Sequence, residues 1–221
     1  MFDFLDGYDL LGAFWVTVQL TVYSALGSLI WGTLLAGMKV SPVPLMRGFA
    51  TGYVNVVRNI PLTVIILFAS LGLFQTMGIS LGASDFTDIN FRLAVLALSA
   101  YTAAFVCEAL RSGINTVPVG QAEAARALGL SFTQVLRLII LPQAFRSVVN
   151  PLSNVLIALT KNTTIASAIG VAEASYLMKG MIENEAQLLP ISAVFAFGFI
   201  VLTLPTGLIL GWVSKKVAVK R

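Results

Sequence analysis

The sequence predicts an all-α integral membrane protein with about five transmembrane helices. Three observations carry this. Of 221 residues, 57% are hydrophobic and only 11% charged, where soluble domains carry roughly a quarter charged residues; the mean hydropathy is +0.90. Five stretches approach or exceed the ~20 mainly apolar residues that a crossing needs. Basic residues are concentrated in alternate segments between those stretches, as membrane orientation demands.

The elements follow in order. Leu10–Met38 is the first span, with Thr17, Thr21, Ser24 and Ser28 recurring at helical spacing. Leu45–Met77 is the second, with Thr51, Asn55, Arg58 and Asn59 on its polar side and an interruption expected at Asn59-Ile60-Pro61. Phe91–Leu110 is the third, with Tyr101, Glu108 and Arg111 sharing a side. Ala144–Leu159, extending to Ile169, is the fourth. It carries Ser147, Asn150, Asn154 and Lys161 on one side, a kink is expected at Pro151, and a break is expected at Lys161–Thr164. Leu188–Val213 is the fifth.

Charge sets the expected orientation. Asp3, Asp6 and Asp9 precede the first span, Asp85 and Asp88 follow the second, and Glu173, Glu183 and Glu185, with Lys179, follow the fourth. Lys39 and Arg47 follow the first, Arg111, Arg126, Arg137 and Arg146 follow the third, and Lys215, Lys216, Lys220 and Arg221 follow the fifth. Basic segments sit inside, so the N-terminus is expected outside and the C-terminus in the cytoplasm, which requires an odd number of spans. The acidic start lacks the basic region of a cleaved leader. No Ser- and Gly-rich linker divides residues 1–221, which read as a single transmembrane domain.

The same composition excludes several functions. There is no His, the commonest metal ligand and proton shuttle, and neither a metal site nor a catalytic residue is expected. Cys107 is the single cysteine, so no disulfide forms within the chain. No Gly is followed directly by Lys, so a phosphate-binding Walker A loop is absent. The net charge of +4 follows membrane topology and does not point to nucleic acid.

Between the third and fourth spans lies GQAEAARALGLSFTQVLRLIILP, too polar to cross a bilayer. Pro118 suits a helix start, and a short helix is expected from Gly120 to Leu128, with Gly129 ending it in the left-handed conformation. Ser131 and Gln134 form a capping-box pattern, and Leu130 is placed to staple to Val135. A second, apolar arm then carries Val135, Leu136, Leu138 and Ile139, and Pro142 marks the turn into the fourth span. Segment 118–142 is thus a bent pair of short helices, stiff enough to transmit force. An amphipathic helix resting in the interface would explain the second arm but not the capped bend.

Glu123-Ala124-Ala125, then Gly129, then Ile139-Ile140-Leu141-Pro142 resembles the EAA–G–I-x-LP pattern of permease subunits of bacterial ABC importers. VVRNIPLTVIILF, AYTAAFVCEALRSGI and ALTKNTTIASAIGVAEAS are similar to the polar amino-acid branch of that family, and most similar to its glutamate-importer permeases. The resemblance implies the type I importer permease fold in the bacterial cytoplasmic membrane. It implies Glu123, Ala124, Ala125, Gly129, Leu141 and Pro142 as the coupling residues that dock a cytoplasmic ABC ATPase dimer. It further implies a second permease chain, an extracellular solute-binding protein, a polar amino acid as substrate, and ATP with Mg on the ATPase, with no cofactor in this chain.

Polar residues inside the spans are the candidates for the substrate path. A central Arg is costly in a bilayer, by about 2.5–3.5 kcal/mol on insertion scales, and Arg58 lies about 17 Å along a straight helix from Arg47. It needs either Glu108 or a substrate carboxylate as partner. Lys161, Asn162, Thr163 and Thr164 gather hydrogen-bonding capacity where the apolar pattern fails; alternatively Lys161 snorkels to the interface and Asn162 caps a helix. Charge matching to glutamate assigns the carboxylates to Arg58 and Lys161 and the ammonium to Glu173 or Glu108, with Asn59, Asn150 and Asn154 beside them. Ordinary helix–helix hydrogen bonding is the competing account of the Ser and Thr positions. The competing function is an ion-coupled secondary amino-acid transporter, for which Glu108 is the candidate coupling acid.

Overall fold

The computed structural model describes residues 5–217, and all its regular elements are helical. Asp3, Lys220 and Arg221, used above for orientation, lie outside the described residues. The helices are α1 (Leu10–Val40), α2 (Pro44–Asn59), α3 (Leu62–Leu67), α4 (Phe86–Ile114), α5 (Val119–Ala127), α6 (Phe132–Val135), α7 (Leu141–Asn162), α8 (Ala174–Glu185) and α9 (Leu188–Val217). Wide π-type turns extend α3 over Phe68–Thr76 and join α6 to α7 over Leu136–Ile140, and a tight 3-10 turn extends α7 over Thr163–Ile169. Among the described residues, α1, α4 and α9 are long and apolar enough to cross a membrane, and five spans result if each of two bent pairs counts as one.

Side-chain caps set the starts of α1 and α4. Asp9 accepts a bond from the Gly12 N–H at 2.8 Å, and Asp85 accepts one from the Thr87 N–H at 2.9 Å. The Asp85 cap starts α4 five residues before the expected Phe91, because Asp88 belongs to the helix and not to a loop.

The second span breaks at Ile60–Pro61, as expected, and the two halves meet at 103°. Pro61 lacks the N–H to continue α2, and Ile60 is held extended ahead of it. In the fourth span the expectation needs correcting. No break occurs at Lys161–Thr164. The Thr163 and Thr164 hydroxyls bond back to the carbonyls of Thr160 and Lys161, each at 2.8 Å, within a chain that merely tightens to 3-10 geometry. The turn comes later, where Gly170 adopts φ +81°, and α8 leaves at 55° to the preceding helix. The Glu173 carboxylate caps α8 by accepting from the Ser175 and Tyr176 N–H groups, each at 2.9 Å. α7 runs through Pro151 as one helix.

α1 and α4 form the spine, with Leu20, Leu93, Leu98 and Leu159 fully buried between them and α7. The polar stripe of α1 faces inward: Thr17, Ser24 and Ser28 are buried. Thr17 and Ser28 return their hydroxyls to backbone carbonyls of their own helix, and Thr17 also accepts from the Ala174 N–H at 3.1 Å. Glycine permits two close approaches. A Cβ on Gly32 would meet the Val106 side chain at 2.6 Å, and one on Gly113 would strike Val148 and stand 3.0 Å from the Ala144 carbonyl. Gly113→Val therefore wedges α4 from α7 at a cost of about 1–3 kcal/mol. The thermal-aggregation midpoint of the detergent-purified protein falls in that variant. In Gly120→Ala, where the space is open, it stays within a degree or so.

Candidate coupling segment and translocation site

The bent pair is built as its residues require. α5 ends in a left-handed turn at Gly129 (φ +85°). The Gly129 N–H bonds the Arg126 carbonyl at 2.9 Å and the Leu130 N–H bonds the Ala125 carbonyl at 3.2 Å, the double closure of a Schellman motif. Ser131 and Gln134 complete a capping box, with bonds of 3.3 and 2.8 Å in the two directions. The bend is therefore locked by four bonds within the ten residues from Ala125 to Gln134. α5 starts at Val119, one residue before the expected Gly120, and Leu128 is its last-turn cap.

The second arm differs from expectation. Pro142 marks no turn: Phe132 to Ile169 runs as one helical rod. Pro142 cannot supply an N–H to the preceding turn, and the π-type widening over Leu136–Ile140 absorbs the defect. α5 is tied to this rod by the Gln143 amide, which donates to Gln121 at 2.6 Å and to the Ile139 carbonyl at 2.9 Å. Any push on α5 thus reaches α7 without passing a flexible joint. Glu123 and Ala124 stand exposed on α5, while Ala125 is buried against the rod side. Leu141 and Pro142 line an apolar groove of about 650 Å³ with Leu110, Ile114, Phe145 and Val148.

Inside the bundle, Arg58 and Glu108 are together. Glu108 receives Lys39 from α1, Arg111 at 2.9 Å from its own helix and Arg58 at 3.9 Å from α2. Arg58 is the loosest and most open of the three, with 45% of its side chain exposed against 12% for Lys39. Its guanidinium lies 5.5 Å from the centre of the Phe105 ring. Phe105 in turn lines a cavity of about 310 Å³ with Tyr101, Thr102, Asn154, Val155, Ala158 and Asn162. The Thr102 hydroxyl is buried beside it without a hydrogen-bond partner among the described residues, an unmet capacity.

The other candidates are distributed differently. Asn150 is exposed one helical turn before Asn154, and Lys161 is exposed at the end of α7. The Asn59 amide bonds its own helix at the Asn55 carbonyl, at 2.6 Å. Asn162 makes no side-chain cap. Thr163 and Thr164 bond their own helix, and Glu173 is fully buried as the α8 cap. The site thus gathers Arg58, Glu108, Asn154 and Asn162, and adds Lys39, Thr102 and Phe105. Phe105 was legible, since Tyr101, Phe105 and Glu108 fall on one helical face; Lys39 was not, because its position reads as a loop charge.

Comparison with known proteins places this architecture. Residues 28–219 match the family described as the inner membrane component of binding-protein-dependent transport systems. The glutamate transport system permease protein GluC of Corynebacterium efficiens is 60% identical over 220 residues, covering 97% of this chain and 96% of that protein. The glutamate/aspartate import permease protein GltK of Escherichia coli is 32% identical over 206 residues, covering 92% and 91%. A crystal structure of an amino acid ABC transporter with histidines superposes with a TM-score of 0.83 at 28% identity, over 94% of this chain and 93% of that one. An inward-facing MetNI methionine ABC transporter shares the fold at 18% identity, TM-score 0.73, over 95% and 96%. The chain belongs to the family of inner membrane components of binding-protein-dependent transport systems, and is a type I ABC importer permease of the bacterial cytoplasmic membrane.

Proposed function

We propose that this permease carries glutamate, as half of a translocation path completed by a second permease chain. The observation that carries the coupling half of this reading is the locked bend of α5 and α6, continuous with α7. A cytoplasmic ATPase dimer that grips Glu123, Ala124 and the Gly129 turn would move α7 as a rod, and with it Asn154 and Asn162. ATP and Mg sit on that partner, and a solute-binding protein delivers substrate from outside. The N-terminus lies outside and the C-terminus in the cytoplasm.

The substrate half rests on the cavity of Tyr101, Thr102, Phe105, Asn154 and Asn162 and on the 60% identity with a glutamate transport permease. Arg58 borders the cavity through Phe105 and is loosely enough held by Glu108 to turn to a substrate carboxylate. Asn154, Asn162 and the Thr102 hydroxyl offer neutral bonds to the rest of the ligand. Lys161 at the end of α7 is a further cation on the rod. Asn59, Thr163, Thr164 and Glu173 serve the path by shaping the helix ends, and Asn150 offers an exposed amide one turn before Asn154. Ion coupling has no support: its candidate acid, Glu108, is already engaged by three cations.

Vesicles that enclose ATP and contain the permease with its ATPase test this, with binding protein and labelled glutamate outside. Uptake follows ATP and survives a proton uncoupler. Excess unlabelled glutamate competes, and excess arginine does not. Arg58→Gln raises the half-saturating concentration of binding-protein-bound glutamate about tenfold, the loss of one charge-assisted contact. Unchanged kinetics in that variant would remove Arg58 from the site, and uptake driven by a proton gradient without ATP would remove the importer reading.

A further inference from the structure

A second cavity, of about 590 Å³, lies at the end of the bundle where α4 leads into the coupling segment. It is lined by Lys39, Pro44, Arg47, Gly48, Thr51 and Arg111. Three of its six lining side chains are cationic. Lys39 and Arg111 share Glu108 with Arg58, so that three cations meet one carboxylate, and Arg47 adds a further positive charge to the lining. Arg47 and Thr51 are exposed and have no ion pair or side-chain hydrogen bond among the described residues. α2 also begins here without a side-chain cap, which adds the positive end of a helix dipole. A surplus of positive charge that is only partly wetted is a standing demand for an anion.

The depression is linked to the substrate cavity through side-chain contacts. Phe105 belongs to that cavity and lies beneath Arg58; Arg58 reaches Glu108; Glu108 holds Lys39 and Arg111, which line the depression. Arg58, Lys39 and Arg111 thus converge between the substrate cavity and the depression. Each is bound to the same carboxylate, and that carboxylate is an internal stand-in for a ligand carboxylate. A ligand with two carboxylates can exchange places with it step by step.

We infer that the Lys39–Arg47–Arg111 depression is an exit site on the coupling side, which binds the carboxylates of an acidic amino acid after it leaves the inner cavity. The inference rests on the glutamate reading and adds a consequence. Substrate accumulated on the coupling side occupies the exit site and slows further uptake. An anionic lipid headgroup is the other source of an oxyanion at this depth.

The test uses the full transporter in vesicles of phosphatidylcholine that enclose ATP and increasing unlabelled glutamate. Binding protein and labelled glutamate are outside. The readout is the internal glutamate concentration that halves each variant's own initial rate. In the unmodified protein, internal glutamate slows uptake and internal glutamine does not. Arg47→Gln needs about tenfold more internal glutamate for the same slowing, and Arg47→Lys, which keeps the charge, stays within about threefold. Equal sensitivity in the unmodified protein and Arg47→Gln overturns the exit site while leaving the importer reading intact. Absence of any ATP-driven glutamate uptake overturns the glutamate reading on which the exit site rests. A variant whose only change is in the dependence of uptake on added phosphatidylglycerol assigns the depression to a lipid headgroup and overturns the exit site.

Discussion

Gly129→Val abolishes ATP-driven uptake while the protein still inserts, purifies and holds its helices. The glycine sits at φ +85° with nothing within 4 Å of where a Cβ would go. The damage is therefore conformational and not steric crowding. A β-branched residue in the left-handed region costs about 1–3 kcal/mol, and relaxing toward negative φ opens both Schellman bonds. The angle between α5 and α6 then changes, and the exposed Glu123 and Ala124 no longer present the same surface. Uptake falls at least tenfold, since ~1.4 kcal/mol is already a factor of ten. The thermal-aggregation midpoint moves little, because the bend lies outside the packed spine of α1 and α4. Gly129→Asn, which tolerates the left-handed region better, restores part of the activity. Full uptake in Gly129→Val would show that the bend angle does not matter for coupling.

Glu108→Gln has the largest expected effect on stability. One carboxylate holds three cations from α1, α2 and α4, and Lys39, its closest partner, is only 12% exposed. Neutralising Glu108 leaves the largely buried Lys39 without its counter-charge and sets it against Arg58 and Arg111. Removing one partner of a buried pair costs about 3–5 kcal/mol. The lower end applies here, because Glu108 keeps 21% of its side chain exposed. The thermal midpoint in detergent drops by several degrees, and the double variant Lys39→Met/Glu108→Gln recovers much of the loss because the stranded charge is gone. If the single variant is as stable as the unmodified protein, the cluster is held by solvent and not by Glu108. Substrate selectivity supplies a second readout: with the internal carboxylate gone, Arg58 is free, and anionic competitors gain over neutral ones.

The sequence by itself determined the membrane class, the locations of the spans and the chemistry of the coupling segment. These are local properties. Apolar runs, Pro61, Gly129 and the Ser131–Gln134 box act through residues a few positions away, so their consequences can be read in one dimension. Arg58 likewise announced the need for a partner, because a charge in an apolar stretch must have one. Tertiary structure decided which partner it has and who else shares it. Lys39 and Glu108 are 69 positions apart, and the packing of α1 against α4 brings them together. Similarly, Thr163 and Thr164 looked like a broken helix, since their hydrogen-bonding capacity is plain in the sequence but its direction is not; the fold turns it back on the chain. Glu173 looked like a free acid and became the buried cap of α8. In each case the residue type stated a requirement for a partner, and three-dimensional proximity, which depends on every other helix, chose how it was met.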